Sequence, residues 1–234
     1  MGAFSDIVVN IVNTLYEFTG NYGISIILMT ILVRLVILPF NISSMKFTHI
    51  SKKLTPEMEE IKKKYKDDKD KQNQATVELW QKYKVNPLSG CLPMLIQLPI
   101  LIMVISAMRD PALYQVSEPM FLGLNLTIPE ANVFAWNYGP QYLILPILSV
   151  ITTYTSSKIM AAGNQQSMGT MTIVMTLLMG YITLRFPSGL ALYWVVGNFL
   201  QIAQHLVFNK VMEDKEILPA EGVIKSEKKR NKKR

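Results

Sequence analysis

The sequence has a single cysteine, Cys91. No disulfide can form within the chain, and a Cys-rich metal site is excluded. It has two histidines, His49 and His205, in different segments. Each reads as an interfacial residue rather than a metal ligand. No Asp or Glu falls inside any long apolar run, which rules out paired carboxylates within a membrane. There is no Ser/His/Asp set, no HExxH and no phosphate-binding loop, so nothing points to catalysis, a metal or another cofactor. What the chain has in quantity is apolar surface. Half of its 234 residues are hydrophobic and the mean hydropathy is +0.22, as expected of an integral membrane protein with one membrane domain.

One charge stands out against that background. In residues 24–40 only Ser25, Thr30 and Arg34 are polar. Arg34 follows Tyr22 by about 18 Å of helix at 1.5 Å per residue, which sets it deep in a bilayer. An arginine there costs about 2.5–3.5 kcal/mol on the insertion scale. It must snorkel, pair with an acid or face a wet cavity. Snorkelling is hard from mid-span and no acid is at hand. A wet, functional cavity is the better expectation.

The remaining chain divides by composition. Residues 1–20 carry Phe4, Ile7, Val8, Ile11, Val12, Leu15 and Phe18 at helical spacing, without the pattern of a signal peptide. They read as an amphipathic interfacial helix on the extracytoplasmic side, broken by Gly20 and Gly23. Span 1 covers 21–45, with Pro39 loosening its second half. Residues 46–86 hold eleven Lys against seven acids. Thr55-Pro56-Glu57 reads as a cap, a proline at N1 and an acid in the first turn. Leu54, Met58, Ile61 and Tyr65 form a thin stripe, KDDKDKQN a turn, and Val77, Trp80 and Tyr83 or Lys84 a weaker stripe. This predicts a mobile, charged helical hairpin in the cytoplasm. Span 2 covers 87–108, starting at Asn86-Pro87. An extracytoplasmic loop covers 109–139, span 3 140–160, a cytoplasmic turn 161–167, span 4 168–184, an extracytoplasmic turn 185–188 and span 5 189–209. The tail, 210–234, has nine basic and five acidic residues and reads as disordered.

Charge sets the orientation. The hairpin, Lys158 and the tail carry twenty-one of the twenty-four basic residues. The other face has Arg109 and Arg185 against five acids. The positive-inside rule puts the N-terminus outside and the C-terminus in the cytoplasm.

Gln97, Tyr154, Ser156, Asn198 and Gln201 are polar residues within spans 2, 3 and 5. Polar groups in hydrocarbon need a partner or water. Singly, each fits an interhelical hydrogen bond as well as a wetted groove. Asn198 and Gln201 share a helix face with Trp194, which favours a groove wall. Met168, Met171, Met175 and Met179 form a stripe on span 4. It fits lipid-facing or packing surface ahead of adaptable apolar binding. Gly169, Gly180 and Gly197 read as sites of close helix approach.

TILVRLVILPF, KKYKDDKDK, VNPLSGCLPMLIQLPI, FLGLNLTIPE and FPSGLALYWVVGNFLQIAQH occur in that order over residues 20–209. Together they resemble the YidC/Oxa1/Alb3 family of membrane-protein insertases. The short N-terminus is similar to the Gram-positive type, though it lacks the lipid-modified cysteine of many such members. The resemblance implies an all-α membrane protein with five transmembrane helices around a hydrophilic groove. It matches Arg34 to the groove arginine, Thr30 to a substrate-contacting position and Trp194 to an aromatic groove position. Ser156 stands where the family often has Gln. The expected substrate is a newly made membrane protein whose polar tail enters the groove. The ribosome, reached by Lys228, Lys229, Arg230, Lys232, Lys233 and Arg234, the Sec translocon and anionic lipids are expected partners. The rival is a small anion or solute transporter using the same arginine. That would predict intramembrane acids or inverted repeats, and neither is present.

Overall fold

The computed structural model of the chain describes residues 3–83, 86, 89, 92–108, 116, 119–128, 139–160 and 165–214. The first helix, α1 (Ala3–Thr19), packs against α2 and α5. Its apolar stripe supplies Val8, Val9 and Val12 to the main core. Gly20, at φ 62°, stops it in a conformation that costs glycine nothing. The Asn21 side chain then caps α2 (Tyr22–Lys53) by accepting from the Ile24 N–H at 3.1 Å. Gly23 is not a second break. It lies within the first turn of α2, where a Cβ would collide with the Phe121 ring.

Helix α2 does not end near residue 45. Ser44, Met45, Phe47, Thr48 and Ser51 continue a buried face as Lys46 points outward, so the first lysine does not stop the helix. Only Leu54 separates α2 from α3 (Thr55–Lys64). Thr55 is therefore not the cap; Leu54 holds that position, and the Thr55 hydroxyl donates back to Ser51 O at 3.4 Å. The turn is shorter than KDDKDKQN. It ends at Asp68, which caps α4 (Lys69–Lys82) through the Lys71 N–H at 3.0 Å and pairs with Lys71 Nζ at 2.9 Å. Those bonds hold the Asp68 carboxyl below the usual carboxylate range.

The hairpin leans on the extension of α2. Leu54, Met58 and Leu79 are buried together. Phe47 of α2 meets Trp80 edge-on with centroids 5.8 Å apart, and Tyr83 OH donates to Glu57 Oε1 at 2.7 Å. Lys52 Nζ reaches across to the Ile159 carbonyl near the end of α6.

Helix α5 spans Leu92–Met108 with Pro99 inside; Pro87 and Cys91 lie outside the described residues. The expected loop contains a two-stranded antiparallel hairpin, β1 (Met120–Phe121) and β2 (Leu124–Asn125), with Met120 opposite Asn125. A 3-10 turn, Pro140–Leu143, leads into α6 (Ile144–Met160), followed by α7 (Gln165–Arg185) and α8 (Ser188–Asp214). Three helices are long and apolar enough to cross a membrane: Tyr22–Lys53, Pro140–Met160 and Ser188–Met212. Leu95–Met108 and Thr172–Arg185 are shorter apolar helices.

Helix α8 packs on α6 and α2. Its start is fastened to the β-hairpin. Gly189 N–H donates to Leu126 O at 2.9 Å and Ser188 N–H to Ile128 O at 3.1 Å. Both histidines are buried within the protein. His49 and His205 are 8% and 2% exposed, and His205 faces Ser44 and Met45. The tight α2–α8 packing takes both in, and no metal-holding group occurs among the described residues.

Candidate functional site: a five-helix cavity around Arg34

Arg34 lies about halfway along the apolar part of α2 and is 8% exposed. Its guanidinium rests on the backbone of α8 at Gly197. A Cβ there would stand 2.9 Å from Nη2, 3.5 Å from Nε and 3.6 Å from Cζ. So Gly197 clears room for a charged side chain rather than for a neighbouring helix backbone. Gly180 does serve close helix packing, against Val150 of α6. Among the described residues no carboxylate pairs with Arg34; Tyr193 lies close enough to interact with it electrostatically.

Beside Arg34 is a cavity of about 180 Å³, room for several waters. All of α2, α5, α6, α7 and α8 contribute to it. Of the residues nominated by sequence, Arg34, Gln97, Ser156, Trp194, Asn198 and Gln201 line it. Thr30 does not. It is fully buried one turn before Arg34, and its hydroxyl donates to Ile26 O at 2.7 Å. Tyr154 does not either. It is 42% exposed, with Lys158 Nζ 4.8 Å above its ring. Of the methionine stripe, Met175 and Met179 face the cavity, which adds a deformable apolar patch. The side chains of Met168 and Met171, and all of 215–234 with the basic cluster, lie outside the described residues.

The polar wall is cross-braced between α6 and α8. Trp194 Nε1 donates to Thr153 Oγ1 at 2.8 Å. The Asn198 amide is 3.0 Å from Thr153 Oγ1 and 3.1 Å from Thr152 Oγ1. Gln201 reaches Met160 Sδ at 2.8 Å, and Gln97 Nε2 donates to Tyr193 OH at 3.4 Å. Interhelical bonding and a groove wall are thus the same set of residues. Thr153 and Asn41 also line the cavity, and Thr152 and Tyr193 bond to residues that do; none of the four was nominated by sequence. A threonine within an apolar run carries little signal, because its hydroxyl can satisfy itself on its own helix.

The arrangement pairs a central cation with neutral donors and acceptors and a soft apolar side. Among the described residues it contains no nucleophile–base pair. A sequence-family model described as 60Kd inner membrane protein matches residues 14–215. The chain belongs to that family. Among its relatives is the membrane protein insertase YidC of Caldanaerobacter subterraneus subsp. tengcongensis. That protein is 38% identical over 83% of this chain and 88% of its own length. The insertase MisCA of Bacillus subtilis is 43% identical over 80% of this chain and 70% of its own length. The crystal structure of an active YidC insertase, with its first transmembrane domain resolved, superimposes with a TM-score of 0.65 at 29% identity. It covers 87% of this chain, which corresponds to 46% of that one.

Proposed function

We propose that this chain is a membrane-protein insertase of the cytoplasmic membrane, acting through the cavity around Arg34. The observation that carries the reading is a buried cation inside a cavity built by five helices, with polar residues on one wall and methionines on another. A substrate's apolar helix gains by entering lipid. The barrier is the transfer of its polar tail across hydrocarbon. A hydrated cavity at mid-membrane depth shortens that dry path, and Arg34 supplies a transient partner for an acidic tail. Water around the guanidinium keeps the attraction weak enough for release. An inside-negative potential pushes an acidic tail outward by about 2.3 kcal/mol per charge per 100 mV.

In this reading α2, α5, α6, α7 and α8 are the five spans. The N-terminus is outside, and the α3–α4 hairpin and C-terminus face the cytoplasm, as the basic residues demand. The newly made membrane protein enters from the hairpin side. The basic tail reaches ribosomal RNA or anionic lipid, and a Sec translocon is a further partner.

The test is insertion of a single-span protein with an acidic N-terminal tail into liposomes. Arg34→Ala and Arg34→Glu abolish it, and Arg34→Lys retains it. Equal activity of the alanine and lysine variants would remove the docking role. Small-anion uptake by the same liposomes would instead indicate a transporter.

A further inference from the structure

The β-hairpin at the end of the bundle has a strained tip. Leu122 and Gly123 form its two-residue loop, with φ of 50° and 81°. A left-handed conformation at both loop residues suits Asn-Gly or Gly-Gly. Glycine takes it freely, but leucine does not. The Leu122 side chain is also 86% exposed. Within the described fold it packs almost nothing, so the strain is not offset by burial.

The place of the hairpin explains why an apolar residue stands there. Phe121 lies on Gly23 in the first turn of α2. Leu126 and Ile128 accept from the first residues of α8. The hairpin therefore sits level with the ends of the spans. Tyr181, 59% exposed near the end of α7, marks that level as the membrane interface. Its ring lies 5.5 Å beneath Arg185, and the buried Tyr142 OH accepts from the Asn125 N–H at 2.9 Å, tying the hairpin to the turn before α6. The ten residues from Pro119 to Ile128 include no ionisable side chain. Met120 beside the tip is 45% exposed, and Phe18, near the α1–α2 corner on the same end, is 83% exposed.

We infer that Leu122 is a lipid anchor: the hairpin tip inserts into the interfacial layer of the bilayer, with acyl chains covering the side chain. Local strain is accepted because lipid supplies the burial that the protein does not. The anchor holds the hairpin over the ends of α2 and α8, above the Arg34 cavity. It is independent of the insertase reading, since it concerns only how this end of the bundle meets lipid.

Spin labelling of the full chain in phospholipid vesicles tests it. The label is carried by Leu122→Cys in a Cys91→Ser background, with Asn73→Cys on exposed α4 as the aqueous reference. At 122, accessibility to oxygen exceeds accessibility to a water-soluble nickel chelate several-fold, and at 73 the order reverses. Nickel-dominated accessibility at 122 would overturn the proposal. So would dipolar broadening between labels, which would mean that a second copy covers the tip. A second variant separates anchoring from turn chemistry. Leu122→Asn suits the left-handed turn, so a hairpin held only by its turn would gain hydrogen-exchange protection over 123–127 in vesicles. A hairpin held by lipid loses it several-fold.

Discussion

The packing of the Arg34 guanidinium on Gly197 allows the position of a charge to be changed without removing it. In Gly197→Ala the new methyl would stand 2.9 Å from Nη2, about half an ångström inside an ordinary contact. The end of a long side chain yields easily, so the guanidinium shifts by about that distance. Gly197→Val adds branches and forces a shift of about 1 Å. For a carboxylate docked about 4 Å away at an effective dielectric near 20, the attraction is about 4 kcal/mol and falls by about 0.8 kcal/mol per added ångström. That is roughly twofold for alanine and fourfold for valine. Glycine within a helix costs about 1 kcal/mol relative to alanine, so Gly197→Ala should not lower stability. The assay is liposome insertion of two substrates that differ only in tail charge, alongside thermal unfolding in detergent. Acidic-tail insertion should fall in the order glycine, alanine, valine, with neutral-tail insertion unchanged. Equal loss for both substrates, or no loss with valine, would refute the reasoning.

Further expectations concern the brace, the hairpin and the tail. Thr153→Val removes the acceptor of Trp194 Nε1 and a partner of Asn198. Losing the indole's acceptor costs about 1–3 kcal/mol, seen as a lower melting temperature; an unchanged one would mean the brace is not structural. Trp80→Ala breaks the edge-on pair with Phe47, worth about 0.5–1.5 kcal/mol beyond buried area. Hydrogen exchange over 55–82 should rise with that of α8 unchanged. If the proposed tail contact is phosphate neutralisation, deleting residues 220–234 should weaken co-sedimentation with ribosomes and flatten its salt dependence. A truncated chain binding as well as the full chain at every salt concentration would exclude the tail.

Arg34 was legible because a cation inside an apolar run has few places to go. Trp194, Asn198 and Gln201 were legible because helical spacing put them on one face. Tyr154 misled because one residue turns a helix by about 100°; its neighbour Thr153 faces the cavity instead. Tyr193 was masked by the more conspicuous Trp194 next to it. The continuation of α2 to Lys53 was obscured by reading its lysines as a boundary, although its inner face stays buried. The β-hairpin escaped because Leu-Gly is a poor turn signal, and that mismatch is what singles out its tip.

The reach of Lys52 to the Ile159 carbonyl joins the root of the α3–α4 hairpin to the last turn of α6. The same turn presents Ser156 and Met160 to the cavity. Cargo in the cavity and a partner on the hairpin therefore share one joint. If either displaces it, each must alter the other's affinity by an equal factor.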